Sequence, residues 1–393
     1  MNPSPCRVLY LNHAAKPSGA EFALWRMLGA IDRERVKPVI LFGEEGPAAE
    51  FMREIGVETH VLPLPPEVRE VRKDSLSCGS LMNFGRLSLL VKYAVRIAGF
   101  ARRNAIQIIH TNTIKAHIYG ALAGRLSGLP VVWHLRDYVN ESYFPWAAVK
   151  AVRFLAKRAP KHIIGVSRSV MGQLQLEDGE GRSTVILDGL SDQELSTDMR
   201  LRISREPMGR FRVGIVGRLA SWKGQHVFID AAAKVLAAGG DAEFAIIGAP
   251  LFGEEDYETA LRKQAAALGL GERLRFTGFT RDVPGELRKL DILVHASTTG
   301  EPFGQVIIEG MAVGLPVIAS RGGGVPEIIT HGKNGILTPM GDAAALGEAI
   351  ISLMRDPEMA ARLGRAGHAH ARTRFRAAIG ARQVENVYQS MGR

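Results

Sequence analysis

Short apolar runs that alternate with longer amphipathic stretches constrain the fold of this 393-residue chain more than any other feature. Such alternation is typical of βαβ units, in which helices connect parallel strands. The predicted strands are Arg7–Asn12, Val36–Phe42, Ile106–Thr111, Val131–Leu135, His162–Val166 and Thr184–Leu187, followed by Phe211–Val216, Glu243–Ile247, Leu274–Thr277, Ile292–His295 and Pro316–Ala319. The two series predict an α/β protein with two Rossmann-like, doubly wound domains.

The chain length fits two domains of about 150–200 residues each. A polar stretch without sustained periodicity predicts a linker over residues 196–209, which separates a first domain, 1–195, from a second domain, 210–374. In doubly wound sheets, ligands bind beyond the carboxyl ends of the strands. We therefore expect the two domains to face one another across a ligand-binding cleft.

The cellular compartment is predicted from what the composition lacks. Two cysteines, Cys6 and Cys78, cannot form a disulfide framework or a zinc site, which favours a reducing, cytoplasmic setting. Residues Met1–Cys6 lack the pattern of a secretory signal, and no run of 18 uncharged apolar residues occurs. The sequence predicts a cytoplasmic protein that is soluble or peripheral on the inner face of the membrane.

Positive charge is concentrated in residues 82–161, which carry 13 Lys and Arg residues against the acidic residues Asp137 and Glu141. Within this segment, Leu87–Ala101 predicts an amphipathic helix, with Leu87 and Val91 on its apolar face. The segment favours an anionic partner such as a membrane surface, a phosphorylated acceptor or a nucleic acid. A basic, solvated face is the ordinary alternative.

Two loops at predicted strand ends in the second half carry candidate ligand-binding residues. Strand Phe211–Val216 runs into Gly217 and Arg218, and Lys223 follows five residues after Arg218. Arg presents a planar fork and Lys a mobile charge to phosphate oxygens, while glycine permits close approach of the backbone. An ordinary turn between a strand and a helix is the alternative.

The second loop leads from strand Ile292–His295 through Glu301 to a helix predicted from about Gln305 to Val313, which carries Glu309. The two carboxylates would be roughly 12 Å apart if the segment were helical throughout. That distance fits a span from a ribose to a sugar, with a diphosphate held between them at the helix N-terminus. Alternatively, Glu301 would interact favourably with the helix dipole at the first turn, and Glu309 would be a solvent-facing helix residue.

Three segments, GRL-x-x-W-K-G, E-P-F-G-Q-V-I-I-E and G-M-A-V-G-L-P-V-I-A-S-x-G-G-G-V-P-E, occur in this order. Together they resemble the retaining, family-four glycosyltransferases of GT-B fold. The resemblance covers essentially the whole chain and is most specific over residues 211–340. It implies a metal-independent transfer of a sugar from a nucleoside-diphosphate sugar to a glycan or lipid-linked acceptor, with retention of anomeric configuration.

The resemblance also implies roles for individual residues. The catalytic residues would be Glu301, which would contact hydroxyls of the transferred sugar, and His134, which aligns with the family's active-site histidine and would contact the sugar or help to position the acceptor. The donor site would comprise Gly19, Gly217, Arg218, Lys223, Phe303, Gly304 and Glu309. The family has Gly-Gly-x-Glu where this chain has Ser18, Gly19, Ala20 and Glu21, so Ser18 replaces the first glycine. A final helix of about residues 375–393 would complete the first domain, which supplies the acceptor side.

Several other functions remain open from the sequence alone. We expect no cofactor and no bound metal, because no Asp-x-Asp element and no metal-ligand spacing occur. A nucleotide-sugar epimerase or a phosphorylase of the same architecture, a basic nucleic-acid-binding protein and a non-catalytic scaffold are the rival functions. A nucleic-acid partner is not expected, since the basic residues lack interleaved aromatic residues and a recognisable binding motif. The donor base and sugar, the acceptor and the oligomeric state are not specified.

Overall fold

The computed structural model describes residues 4–69, 84–141, 144–176, 181–196, 210–251 and 253–391. The chain divides into two compact units: unit 1 comprises Met1–Ser191 with Ala377–Arg393, and unit 2 comprises Asp192–Arg376. Each unit contains one parallel sheet whose strands are connected by helices, which confirms the prediction of two doubly wound α/β domains. The predicted linker starts at Ser196, and its remaining residues lie outside the described ones.

The sheet of unit 1 has seven parallel strands in the order β3-β2-β1-β4-β5-β6-β7. Its strands are β1 (Cys6–Asn12), β2 (Val36–Phe42), β3 (Glu58–Val61), β4 (Ile108–Thr111), β5 (Val131–Leu135), β6 (His162–Gly165) and β7 (Ser183–Val185). The central strands are buried on both faces, as their continuous apolar runs predict. The register places Tyr10 of β1 beside His110 of β4.

The sheet of unit 2 has six parallel strands in the order β10-β9-β8-β11-β12-β13. Its strands are β8 (Phe211–Val216), β9 (Ala242–Ile247), β10 (Leu274–Gly278), β11 (Ile292–His295), β12 (Val317–Ser320) and β13 (Ile336–Thr338). Strands β8 and β11 are adjacent, so the loops that follow their carboxyl ends lie side by side. These are the loops in which the sequence predicts the donor site.

Two strands were not predicted from the sequence, and both lie at the edge of a sheet. The strand β3 is half-buried throughout and has the sequence ETHV, without an apolar run. The strand β13 contains three residues. Short or mixed-polarity segments give little periodic signal, and their pairing with a neighbouring strand determines their structure.

The helices of unit 1 surround its sheet and include the C-terminal helix, Ala377–Met391. The others among the described residues are Gly19–Ala30, Pro47–Glu54, Pro66–Arg69, Phe84–Arg103, Ile114–Ser127, Trp146–Ala156 and Arg168–Gly172. In unit 2 the helices are Asp192–Leu195, Gln225–Ala237, Glu255–Ala267, Val283–Leu287, Gln305–Ala312, Val325–Ile328, Ala343–Arg355 and Pro357–Arg374.

The predicted amphipathic helix is present as Phe84–Arg103, but its apolar face differs from the prediction. Ala94, Ile97, Ala98 and Ala101 are buried, as expected. Leu87 and Val91, which were predicted on that face, are 53% and 41% exposed, and Val95 is 53% exposed. Leu87, Val91 and Val95 are spaced four residues apart and therefore form an apolar stripe on the outer side of the helix.

The C-terminal helix packs against helix Gly19–Ala30 within unit 1. Its residues Val384 and Tyr388 belong to the same buried apolar cluster as Tyr10 and Leu24. The carboxylate of Glu385 is buried and pairs with Arg35 at 2.6 Å. The helix Ala377–Met391 is thereby part of the core of the first unit.

Candidate active site

The turn after β8 is held tightly against the loop after β11. Gly224 has a φ of +74°, and a Cβ atom there would lie 1.9 Å from the carbonyl oxygen of Ala296. The amide of Thr298 donates to the carbonyl oxygen of Trp222 at 2.8 Å. Glycine at position 224 is therefore required both by the backbone conformation and by the close approach of the second loop. These contacts fix the position of Lys223, the neighbouring residue.

Lys223 and Glu301, which the sequence predicts in two separate motifs, form an ion pair of 2.8 Å between Nζ and Oε2. Ser297 donates its hydroxyl to the same carboxylate oxygen at 3.1 Å, and Nε2 of His295 lies 3.2 Å from it. We call Lys223, His295, Ser297 and Glu301 the Glu301 cluster. Sequence reasoning did not identify His295 and Ser297 as site residues, although His295 ends β11 and Ser297 lies in the loop that leads from it to Glu301.

The Glu301 carboxyl is buried and nevertheless ionised. Burial would raise its pKa, but the charge of Lys223 and the hydrogen bonds from His295 and Lys223 lower the pKa below its usual value. The carbonyl oxygen of Glu301 also accepts from the amide of Gly324 at 2.8 Å. The carboxylate is consequently a charged, positioned acceptor at the carboxyl end of the sheet.

The helix that carries Glu309 begins after the segment predicted to bind the sugar and phosphate. Gly304 precedes the helix with a φ of +112°, and the helix extends over Gln305–Ala312. Glu301 lies outside it, so the distance calculated for a continuous helix between Glu301 and Glu309 does not apply. Glu309 is half-buried. Phe303 is buried and packs edge-on against Phe375, with 6.0 Å between the ring centres.

Arg218 lies near Lys223, and both face Trp222. The Arg218 guanidinium and the Lys223 ammonium are 6.0 Å and 4.2 Å from the centre of the Trp222 ring. Arg218 also pairs with Glu254 at 3.6 Å. Burial raises the pKa of Glu254, and the charge of Arg218 acts against that rise. Glu254 was not predicted as part of the site. Gly217, before Arg218, has a φ of +151°.

In unit 1, His134 lies on β5, is 1% exposed and belongs to a buried chain of hydrogen bonds. Its Nδ1 is 3.2 Å from Nε2 of His110, whose Nδ1 is 2.7 Å from the hydroxyl of Tyr388. The Tyr388 hydroxyl lies 2.8 Å from that of Tyr10. Burial, with smaller contributions from Arg136 and neighbouring histidines, lowers the pKa of both His110 and His134. Both rings are therefore neutral.

Gly19 is the first residue of helix Gly19–Ala30, and Ser18 is its N-cap residue. The Ser18 hydroxyl donates to the carboxyl of Glu21, which also accepts from Nδ2 of Asn12 at 2.9 Å. Burial raises the pKa of Glu21, and these two hydrogen bonds lower it in part. Ser18, which replaces a glycine of the family pattern, thus attaches the loop to a buried carboxyl group.

A second polar group at the carboxyl ends of the unit 1 strands was not predicted from the sequence. Arg136, directly after β5, donates from Nε to Asn112 at 2.7 Å and forms an ion pair with Asp188. Asn112 donates in turn to Asn12 at 3.3 Å. A lone Arg or Asn in a loop carries no signal in a single sequence, because its partners lie on other strands.

The predicted site residues fall into two groups. Unit 2 brings Lys223 into contact with Glu301 and places Arg218 beside them, while unit 1 contains His134 and Gly19. Among residues 4–69, 84–141, 144–176, 181–196, 210–251 and 253–391, no group of three or more His, Cys, Asp or Glu side chains is arranged to hold a metal ion. No helix within these ranges is long and apolar enough to cross a bilayer.

Comparison with known proteins identifies both halves of the chain. Residues 18–186 match the glycosyl transferase 4-like domain, and residues 198–370 match the glycosyl transferases group 1 family. The crystal structure of Anabaena HepE in complex with UDP-glucose is similar over 98% of this chain and 99% of HepE, at 28% identity and a TM-score of 0.83.

Two curated relatives match over shorter segments. The phosphatidyl-myo-inositol mannosyltransferase of Mycobacterium leprae is 34% identical over 171 residues, 43% of this chain and 43% of the relative. The lipopolysaccharide core biosynthesis mannosyltransferase LpsB of Rhizobium meliloti is 29% identical over 218 residues, 54% of this chain and 62% of the relative. The matched segments span less than two thirds of each relative. From both family matches and the shared fold, the chain belongs to the group 1 glycosyltransferases of GT-B fold.

Proposed function

We propose that this protein transfers a sugar from a nucleoside-diphosphate sugar to a glycan or lipid-linked acceptor, with retention of anomeric configuration. The observation that carries the proposal is the contact between Lys223 and Glu301, which joins a phosphate-binding type of loop to a buried, ionised carboxylate. The Lys223 ammonium can bind a diphosphate, and the Glu301 carboxylate can accept hydrogen bonds from sugar hydroxyls. Their positions at adjacent strand ends suit a substrate that contains both a diphosphate and a sugar.

In this proposal, Arg218 and Lys223 bind the diphosphate and stabilise the charge that develops on the leaving group. The backbone of Phe303 and Gly304 and the start of helix Gln305–Ala312 face the phosphates, and Gly217 allows close approach. Glu309 accepts hydrogen bonds from the ribose, and Glu301 accepts from hydroxyls of the sugar. His134 and Gly19 serve the sugar and the acceptor from unit 1. The cations take the role of a metal ion, so the transfer is independent of magnesium.

The donor base is proposed from the relatives. HepE was crystallised with UDP-glucose and resembles this chain over nearly its whole length, which favours a UDP-sugar. A mannosyltransferase named for GDP-mannose is 34% identical over 181 residues and makes GDP-sugars the second choice. The names of the relatives, which refer to phosphatidyl-inositol and lipopolysaccharide core, favour a cell-envelope acceptor.

Thermal unfolding with UDP-, GDP- and ADP-sugars, with and without magnesium, tests the donor site. A ligand that binds only the folded protein, at 100 times its Kd, adds about 2.7 kcal/mol to the free energy of unfolding. We expect one nucleotide family to raise the melting temperature equally with magnesium and with EDTA. Conversion of the donor without any acceptor would favour an epimerase, and no shift with any donor would favour the scaffold.

We also propose that unit 1 binds anionic membranes from the cytoplasmic side. The apolar stripe of Leu87, Val91 and Val95 lies on a helix with a basic end, and the exposed Trp146 begins a helix in the same basic segment. An exposed apolar stripe flanked by cations is typical of helices that lie in a bilayer interface. We expect sedimentation with anionic liposomes at low salt, weakened by V91S/V95S; equal sedimentation of the variant would contradict the docking site.

A further inference from the structure

Three hydrogen-bond donors converge on a single oxygen atom, Oε2 of Glu301. They are Lys223 Nζ at 2.8 Å, Ser297 Oγ at 3.1 Å and His295 Nε2 at 3.2 Å. Their accessibility differs: the Lys223 side chain is 21% exposed, whereas that of His295 is 4% exposed. Of these two donors, Lys223 is therefore the one that can meet an incoming ligand, and His295 lies behind it.

His295 is fixed in place by its strand and by this cluster. It is the last residue of β11 and pairs with Ala319 of β12. The hydroxyl of Ser297 lies 3.1 Å from its Nε2 as well as from Glu301. Its Nδ1 is buried and has no hydrogen-bond partner among the described residues. The ring is consequently oriented by its Nε2 contacts, which point to the Glu301 carboxylate.

Binding of a diphosphate changes the electrostatic environment of Glu301. The ammonium of Lys223 would then pair with phosphate oxygens, so its charge would be shared or withdrawn from Oε2. The phosphates also bring negative charge close to the carboxylate. Both effects, together with burial, favour the protonated form of an acid. A protonated Glu301 would lose acceptor capacity for the hydroxyls of a sugar.

We propose that His295 replaces Lys223 as the principal partner of Glu301 when a diphosphate engages Lys223, with Ser297 bridging the two side chains. His295 is thus a positioning residue that keeps Glu301 an ionised acceptor in the donor complex. This inference rests on the proposed function, because it requires that Lys223 binds the diphosphate. The titratable groups in contact with the carboxylate include Lys223, from the loop after β8, and His295, from β11.

The titration of Glu301 can be followed by carboxyl ¹³C NMR on protein with labelled glutamate, free and saturated with UDP. The signal is assigned by its loss in Glu301→Gln. We expect Glu301 to remain ionised in both forms of the wild type above pH 5. In His295→Phe, the free form should also remain ionised above pH 5, because Lys223 still pairs with Glu301. In the UDP-bound form of this variant, the midpoint of the Glu301 titration should lie at least about one pH unit above that of its free form.

His295→Gln keeps an N–H donor near Glu301 and should show a smaller rise, which separates loss of the contact from a general disturbance. It also serves as the test variant if His295→Phe unfolds. Equal titration of the free and UDP-bound forms in both variants, with UDP binding intact, would overturn this inference alone. Failure of the wild type to bind UDP or GDP would overturn the proposed donor site and this inference together.

Discussion

Tyr388 of the C-terminal helix contacts Nδ1 of His110 on β4 at 2.7 Å, although 278 residues separate them along the chain. Tyr10 lies on the other side of the Tyr388 hydroxyl, at 2.8 Å, and His134 lies beyond His110. The helix Ala377–Met391 is thereby connected through buried polar contacts to a residue predicted to act in catalysis.

Tyr388→Phe removes the central hydroxyl of this chain. We expect the free energy of unfolding to fall by about 1–3 kcal/mol, because buried polar atoms on His110 and Tyr10 lose their partner. Urea unfolding measures the change. Gln389→Ala, at the neighbouring exposed position, is the control and should leave stability within about 0.5 kcal/mol. A loss equal to that of the control would show that the hydroxyl contacts contribute nothing net.

Lys223→Met tests the ion pair with Glu301 through its pH dependence. The folded-state pKa of Glu301 is lowered, so its stabilising contribution is present above the unfolded pKa and decreases as pH falls through the folded value. We expect the variant to be less stable at pH 7 by about 1–3 kcal/mol. The difference from wild type should shrink below about pH 4.5, where the carboxyl of the unfolded chain becomes protonated.

Chemical unfolding at pH 7 and pH 4 measures this difference. Lys234→Met, on the exposed side of helix Gln225–Ala237, is the matched control and should show no such pH dependence. A difference from wild type that is independent of pH in Lys223→Met would mean that lost packing, and not the ion pair, destabilises the variant.

Glu309→Gln tests the proposed ribose contact. Hydrogen bonds to a charged acceptor contribute about 1.5–3 kcal/mol, so we expect affinity for UDP to fall by at least about tenfold while the fold remains intact. Calorimetric titration with UDP measures the affinity. Glu348→Gln, on an exposed helix position of the same unit, should bind UDP as wild type does. Unchanged affinity in Glu309→Gln would remove Glu309 from the donor site.

Gly224→Ala tests the close contact that positions Lys223. A Cβ atom would approach the Ala296 carbonyl to 1.9 Å at a φ of +74°, so the loop must move. At Gly239, φ is +80° but nothing lies within 4 Å, and Gly239→Ala therefore imposes the backbone strain without the clash. The strain alone is of the order of 1 kcal/mol.

We expect Gly224→Ala to lower the melting temperature more than Gly239→Ala and to weaken UDP binding, while Gly239→Ala leaves binding unchanged. Thermal unfolding and calorimetry on both variants measure the two effects. If both variants were destabilised equally and Gly224→Ala bound UDP with full affinity, the loops after β8 and β11 could move apart at Gly224 without affecting the site.

The local sequence determined much of the fold, because burial of a parallel strand on both faces imposes an apolar run that can be recognised without knowing its neighbours. Val131–Leu135 and Ile292–His295 were predicted with the bounds that the structure shows. The order of the motifs likewise identified the family. The sequence did not predict β3, whose mixed polarity shows no alternation of apolar and polar residues. It also did not predict the exposure of Leu87, which depends on the elements that pack beside its helix.

Tertiary structure alone decided which side chains meet. The sequence indicated Lys223 and Glu301 as separate elements of a donor site, but only the pairing of β8 with β11 brings them into contact. The course of the loop after β11 returns Glu301 to His295 at the end of that strand, and packing of the C-terminal helix within unit 1 brings Tyr388 to His110. Local patterns report the burial of a segment, whereas contacts between distant polar residues depend on strand order and register, which no segment encodes by itself.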